Sequence, residues 1–112
     1  MSGDRSWQRV CHITDLDIDR GAAAIVDDEQ IALFRVSDGD AVFAIGNLDP
    51  GSGAFVLARG IVGSERDVPK VASPMYKHTF DLRTGRGLSH PELSVPTYPV
   101  RIVDGWVEVS IR

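Results

Sequence analysis

The 112-residue chain, 12.2 kDa, is 43% hydrophobic and 25% charged, the make-up of one globular domain able to bury its own core. Its one cysteine, Cys11, rules out an internal disulfide, a Cys-x-x-Cys redox pair, a zinc ribbon and a Cys₄ iron–sulfur cluster. The formal charge of −4 argues against a nucleic-acid binder, which needs a basic face for phosphate.

Residues 7–13 read as a first strand, followed by a turn-prone segment, 14–21, with room for one short helical turn. Residues 22–26 and 31–36 flank Asp27-Asp28-Glu29-Gln30, a hairpin connection. Ser37-Asp38-Gly39-Asp40 reads as a turn because Asp-Gly supplies the positive φ that tight hairpins require, and 41–45 returns as a strand. The first 45 residues are thus expected to form a meander.

From 46 to 63 five glycines (Gly46, Gly51, Gly53, Gly60 and Gly63) and Pro50 break up the apolar pieces, so this stretch reads as a loop-dominated insertion. Strands are expected at 68–72 and 78–82, separated by 73–77, with a turn at 83–87. A proline-punctuated connector, 91–99, leads to 100–103 and 106–109, alternating segments joined by Asp104-Gly105, the strongest hairpin signal in the chain. Short runs rich in β-branched and aromatic residues, with no helical periodicity, predict a mainly β fold over a single domain, 1–112. Trp7 and Trp106 are expected in the core and Cys11 as a small, inert core thiol. A free thiol and an N-terminus without an apolar leader fit a cytoplasmic protein, and no run approaches the ~18 apolar residues of a membrane span.

Charge is unevenly spread. Residues 59–90 carry six basic side chains (Arg59, Arg66, Lys70, Lys77, Arg83, Arg86) against three acidic ones (Glu65, Asp67, Asp81), and the remainder is strongly acidic. No phosphate loop, His-Glu-x-x-His or Gly-x-Ser-x-Gly motif is present.

Two segments carry a specific resemblance: Phe43-Ala-Ile-Gly-Asn-Leu-Asp-Pro-Gly-Ser-Gly53 and Val71-Ala-Ser-Pro-Met-Tyr-Lys-His-Thr-Phe-Asp-Leu-Arg-Thr-Gly85 resemble the two cluster-binding loops of a Rieske domain. The closing Tyr98-Pro-Val-Arg-Ile-Val-Asp-Gly-Trp-Val-Glu-Val109 is similar to the last strands of that fold. The resemblance implies a Rieske-like antiparallel β-sandwich or barrel with two apposed loops. It places the two cysteine positions on Asp49 and Ser73, and the two histidine positions on Gly51 and Tyr76. Both loop prolines, Pro50 and Pro74, persist while the ligands do not. A Rieske centre takes two thiolates on one iron and two imidazoles on the other. No [2Fe-2S] cluster, other metal or cofactor is therefore expected here, and no catalytic residue.

Over residues 7–111 the chain resembles the small subunits of assimilatory NAD(P)H-dependent nitrite reductases. That implies a large partner subunit holding FAD, the NAD(P)H site, an iron–sulfur cluster and siroheme, with no role for nucleic acid or membrane. On that reading the chain is inert alone and contributes an interface, with Arg59, Lys70, Tyr76, Lys77, His78 and Arg83 as candidates. Tyr76 either stands at the tip or folds into the volume a cluster would fill. Asp49 is either a carboxylate at the loop tip or a turn former bonded to the following backbone. His78 is expected to be structural. Two other readings stay open: a degenerate Rieske-ferredoxin-like interaction module of another oxidoreductase, and a small hydrolase or ligand-binding module using Asp49, Tyr76 and His78.

Overall fold

A computed structural model describes residues 6–36, 41–75 and 77–111. The turn expected at 37–40 and the side chain of Tyr76 lie outside the described residues. Ten strands run in chain order: β1 (Trp7–His12), β2 (Arg20–Val26), β3 (Glu29–Arg35), β4 (Val42–Gly46), β5 (Ile61–Glu65), β6 (Val68–Ala72), β7 (Thr79–Asp81), β8 (Thr97–Tyr98), β9 (Val100–Val103) and β10 (Trp106–Ser110). Two 3₁₀ turns, Ile13–Asp15 and Leu57–Arg59, punctuate them. The strands form three sheets, β1-β10-β9, β2-β3-β4-β8 and β5-β6-β7, each paired antiparallel throughout.

In the middle sheet the centre of β3 is buried on both faces. In β3, Ile31 and Leu33 join a core with Val107 and Val109 of β10, whereas Ala32 and Phe34 join a second core with Val71 of β6 and Phe80 of β7. This explains why β3 is a continuous apolar run rather than an alternating one.

Among the described residues, three hairpins close with two-residue turns in which both central residues have positive φ: Asp27-Asp28, Arg66-Asp67 and Asp104-Gly105. That is the twist-matching geometry of the tightest hairpins. The Asp104-Gly105 hairpin is observed as expected. Arg66-Asp67 has neither glycine nor asparagine, and β5, which begins within the expected insertion and runs past its end, is a strand the sequence does not predict.

Three further expectations are corrected. The first 45 residues do not form one meander: β2, β3 and β4 do, but β1 crosses to pair with β10, Trp7 opposite Ser110. The connector before Pro99 contributes β8, two residues paired to Ala44 and Ile45, a length that local pattern cannot reveal. Trp7 and Trp106 are not core residues; both stand on the outward face of β1-β10-β9, where Trp106 keeps 36% of its surface exposed. Cys11 is half-buried against the core of Ile31, Leu33, Val107 and Val109, and burial, followed by the nearby Asp15 charge, pushes its thiol pKa up, so it stays protonated at neutral pH.

Candidate functional site: two apposed loops clamped by Asp49 and Ser73

The loop after β4 and the loop between β6 and β7 meet through their side chains. The Ser73 hydroxyl donates to Asp49 Oδ2 at 2.5 Å, and both residues are sealed from solvent, at 0% exposure for Asp49 and 1% for Ser73. Asp49 also turns its own loop. Oδ1 accepts from the Gly51 N–H at 2.9 Å and Oδ2 from the Ser52 hydroxyl at 3.1 Å, while its carbonyl accepts from Gly53 N–H, where φ is +78°. Of its two expected roles, Asp49 therefore takes that of turn former, and its carboxylate faces inward.

The second loop is closed as tightly. Ser73 N–H donates to the His78 carbonyl, Lys77 N–H to the Ser73 carbonyl, and Met75 N–H to Ser73 Oγ. Burial pushes the Asp49 carboxyl up, but hydrogen bonds from Ser73, Gly51 and Ser52, together with the charge of His78, outweigh it. The net result holds Asp49 below the usual carboxylate range.

His78 occupies the space between the loops. A Cβ added to Gly51 would stand 2.5 Å from His78 Nδ1, so the glycine is what admits the imidazole. On its other side the ring meets His90 edge-on, with centroids 4.3 Å apart, and His90 Nδ1 lies 3.5 Å from the Glu92 carboxylate.

These residues do not fit a [2Fe-2S] centre. At the two cysteine positions stand an aspartate and a serine hydrogen-bonded directly to each other, leaving no gap for an iron pair. At one histidine position Gly51 offers no donor, and the ring of His78 fills the adjoining space. Among the described residues, no group of three or more His, Cys, Asp or Glu side chains is arranged to hold a metal ion.

The tip around this clamp is apolar. Pro50 and Pro74, each next in chain to a clamp residue, are exposed, as are Leu48, Phe55 (53%) and Met75 (49%), with Leu48 bridged to Phe55 across the first loop. Lys77 is exposed beside them and Arg59 flanks them, since the adjacent Gly60 packs on the Ala72 carbonyl just before Ser73. Lys70 and Arg83 are not brought to the tip. Lys70 lies mid-strand opposite Gly63 and Asp81, and Arg83 follows the far end of β7, where its backbone and guanidinium both bond Asp81. The Asp81 carboxyl is in turn raised by burial but lowered further by those Arg83 bonds.

Two contributors escaped sequence reasoning. Asn47 is buried; its side-chain oxygen accepts from Ala58 N–H at 2.8 Å and its carbonyl from Leu57 N–H, tying the first loop to the 3₁₀ turn. An asparagine directly after a strand and ahead of Asp-Pro-Gly was the available signal. His90, twelve residues beyond His78, carried none.

Two proline-bearing loops apposed at the end of an antiparallel β fold are the architecture of a Rieske-like domain. The Rieske-like [2Fe-2S] domain family matches residues 6–110. The chain belongs to that family, in the branch of the nitrite reductase small subunits. It is 38% identical over 103 residues to the nitrite reductase (NADH) small subunit of Escherichia coli (strain K12), covering 92% of this chain and 95% of that one. A crystal structure from Mycobacterium tuberculosis, described provisionally as an NADH-dependent nitrite reductase small subunit, superposes with a TM-score of 0.92 at 40% identity and 97% coverage of both chains. The nitrite reductase [NAD(P)H] large subunit of Klebsiella oxytoca is 42% identical over 106 residues, 95% of this chain but 11% of that far longer protein.

Proposed function

We propose that this chain is the non-catalytic small subunit of a cytoplasmic NAD(P)H-dependent nitrite reductase, docking by its loop tip onto the large subunit that reduces nitrite to ammonia. The observation that carries the reading is the clamp. Where the fold would hold a redox centre, Asp49 and Ser73 spend their polar groups on each other and on their own loops, and the tip presents Leu48, Pro50, Phe55 and Met75 instead. Exposed apolar residues on a rigid support are what a protein interface is made of. The electron-transfer chemistry belongs to the FAD, iron–sulfur cluster and siroheme of the partner, so the isolated chain is inert.

The Klebsiella oxytoca protein supports the same partner, because there a domain of this kind is part of the large-subunit polypeptide itself. Lys77, His78 and Arg59 remain interface candidates around the tip, and Tyr76 stays a candidate on the sequence alone; Lys70 and Arg83 belong to the β-sheet behind the tip. Affinity capture of this chain from cells making both subunits tests the reading. The expected result is co-purification of a large protein with siroheme absorbance and nitrite-dependent NAD(P)H oxidation, and weakened capture by Met75→Asp. Capture of no such protein refutes it.

A further inference from the structure

The outer sheet β1-β10-β9 turns Val107 and Val109 into the core, so alternation sets Trp106, Glu108 and Ser110 on its other face, where Trp106 is exposed while Glu108 (8%) and Ser110 (1%) are buried. Strand register sets Arg9, Glu108 and Arg101 in one row across the three strands, and His12, Trp106 and Val103 in the next. The Glu108 carboxylate accepts from Arg101 Nε at 2.7 Å and pairs with Arg9 Nε at 3.7 Å. Each guanidinium is also stacked on a tryptophan, Arg9 over Trp106 at 4.8 Å and Arg101 over Trp7 at 4.5 Å, and His12 meets the Trp106 ring edge-on.

This network has more recognition capacity than a capped sheet face requires. Tryptophan and arginine dominate interface hot spots, and here they are already fixed in place, so a partner would lose little side-chain freedom by ordering them. Two guanidiniums share one carboxylate, each through its Nε, and a guanidinium carries further N–H donors of the kind that recognise carboxylates and carbonyls. Trp7 and Ser110 are register partners, so both ends of the domain meet at this sheet. In the Klebsiella oxytoca protein the segment matching 95% of the present chain lies within the large-subunit polypeptide, so a domain folded as here would be joined to that polypeptide beside this face.

We infer that the Trp7-Arg9-Trp106-Arg101 face is a second contact with the nitrite reductase large subunit, taking a carboxylate- or carbonyl-bearing surface of that subunit while the loop tip is engaged elsewhere on it. The inference rests on the proposed pairing with that subunit. Its test measures the affinity of the full chain for the purified large subunit, with Trp106→Ala and, as a variant outside the network, Val103→Glu. Ile25→Ala on an exposed position of β2 is the reference, and thermal unfolding and sedimentation of each isolated chain are followed in parallel. Both outer-face variants are expected to bind about tenfold or more weakly, with Ile25→Ala unchanged. Wild-type binding matched by both folded variants would overturn the inference and leave the pairing intact. Absence of wild-type binding would overturn both. A wild-type dimer broken by Val103→Glu would assign the face to a second copy of the chain and overturn the inference as well.

Discussion

Replacing Ser73 by alanine removes the side-chain hydrogen bond by which it joins the second loop to Asp49 of the first. The Asp49 carboxylate, fully buried, keeps its Gly51 and Ser52 donors but loses its shortest partner. A hydrogen bond to a charged acceptor contributes about 1.5–3 kcal/mol, and a buried acceptor stripped of a donor recovers nothing from water. Ser73→Ala should therefore destabilise the fold by about 2 kcal/mol, lowering the unfolding midpoint by roughly 8 °C for a chain of this size. The pH dependence gives the cause. Asp49 is held below its ordinary value in the folded state, so its contribution is present above the usual carboxylate range and is lost as pH falls through the folded value. Losing Ser73 moves that folded value back up. The gap between wild type and variant should then be widest near neutrality and narrow below about pH 4. Asp81, depressed by Arg83, shapes the acid limb of both proteins alike and cancels in the difference. Differential scanning calorimetry from pH 7 to pH 3 reads this directly. Equal midpoints at neutrality, or a gap that does not change with acid, would refute the clamp.

Gly51→Ala drives a methyl into the His78 ring, 2.5 Å from Nδ1 before any adjustment, and should cost about 1–3 kcal/mol. Removing the ring as well should recover part of that loss, so a double-mutant cycle with His78→Ala is expected to be non-additive; additivity would mean that the two do not share the space. Lys77→Glu should weaken capture of the large subunit at unchanged melting temperature. Arg83→Glu should instead set a carboxylate beside Asp81 and lower stability by about 1 kcal/mol with capture unchanged; the opposite pattern would place the contact on the sheet. Chain produced in iron-replete cells is expected to carry no stoichiometric iron by metal analysis, and one [2Fe-2S] unit per chain would reject the fit argument.

What the sequence disclosed followed from how local each signal is. Asp104-Gly105 between alternating strands contains its whole explanation in six or seven residues, and the hairpin is observed. Arg66-Asp67 adopts the same positive-φ turn with residues that do not advertise it, so the β5–β6 hairpin was hidden. Pairing of β1 with β10 joins residues a hundred positions apart, which no window can see. At the site, the prolines and flanks revealed two apposed loops. The Asp49–Ser73 bond needed the fold, because it depends on both side chains turning inward. The tryptophans misled for a related reason: composition sends them to the core, while strand pairing brings a guanidinium over each ring on the outer face, Arg9 over Trp106 and Arg101 over Trp7.

The clamp also explains how an apolar tip can be kept at the end of this fold. A metal centre cross-links its two loops through strong bonds, and loops released from that tether would have to order themselves at each encounter with a partner. Here the short hydrogen bond from the Ser73 hydroxyl to Asp49, the Gly51 turn and the imidazole of His78 take over the cross-link. All the polarity required for this is internal. The negative charge of Asp49 is satisfied by Ser73, Ser52 and Gly51, so a surface closing over Leu48, Phe55 and Met75 does not have to strip water from it. The proposed docking surface thus inherits its rigidity from the position of a redox centre without the solvation cost of one. The charged recognition is assigned to the arginines of the outer sheet, where water and salt still reach them and where complementary charge directs encounter more than it adds affinity.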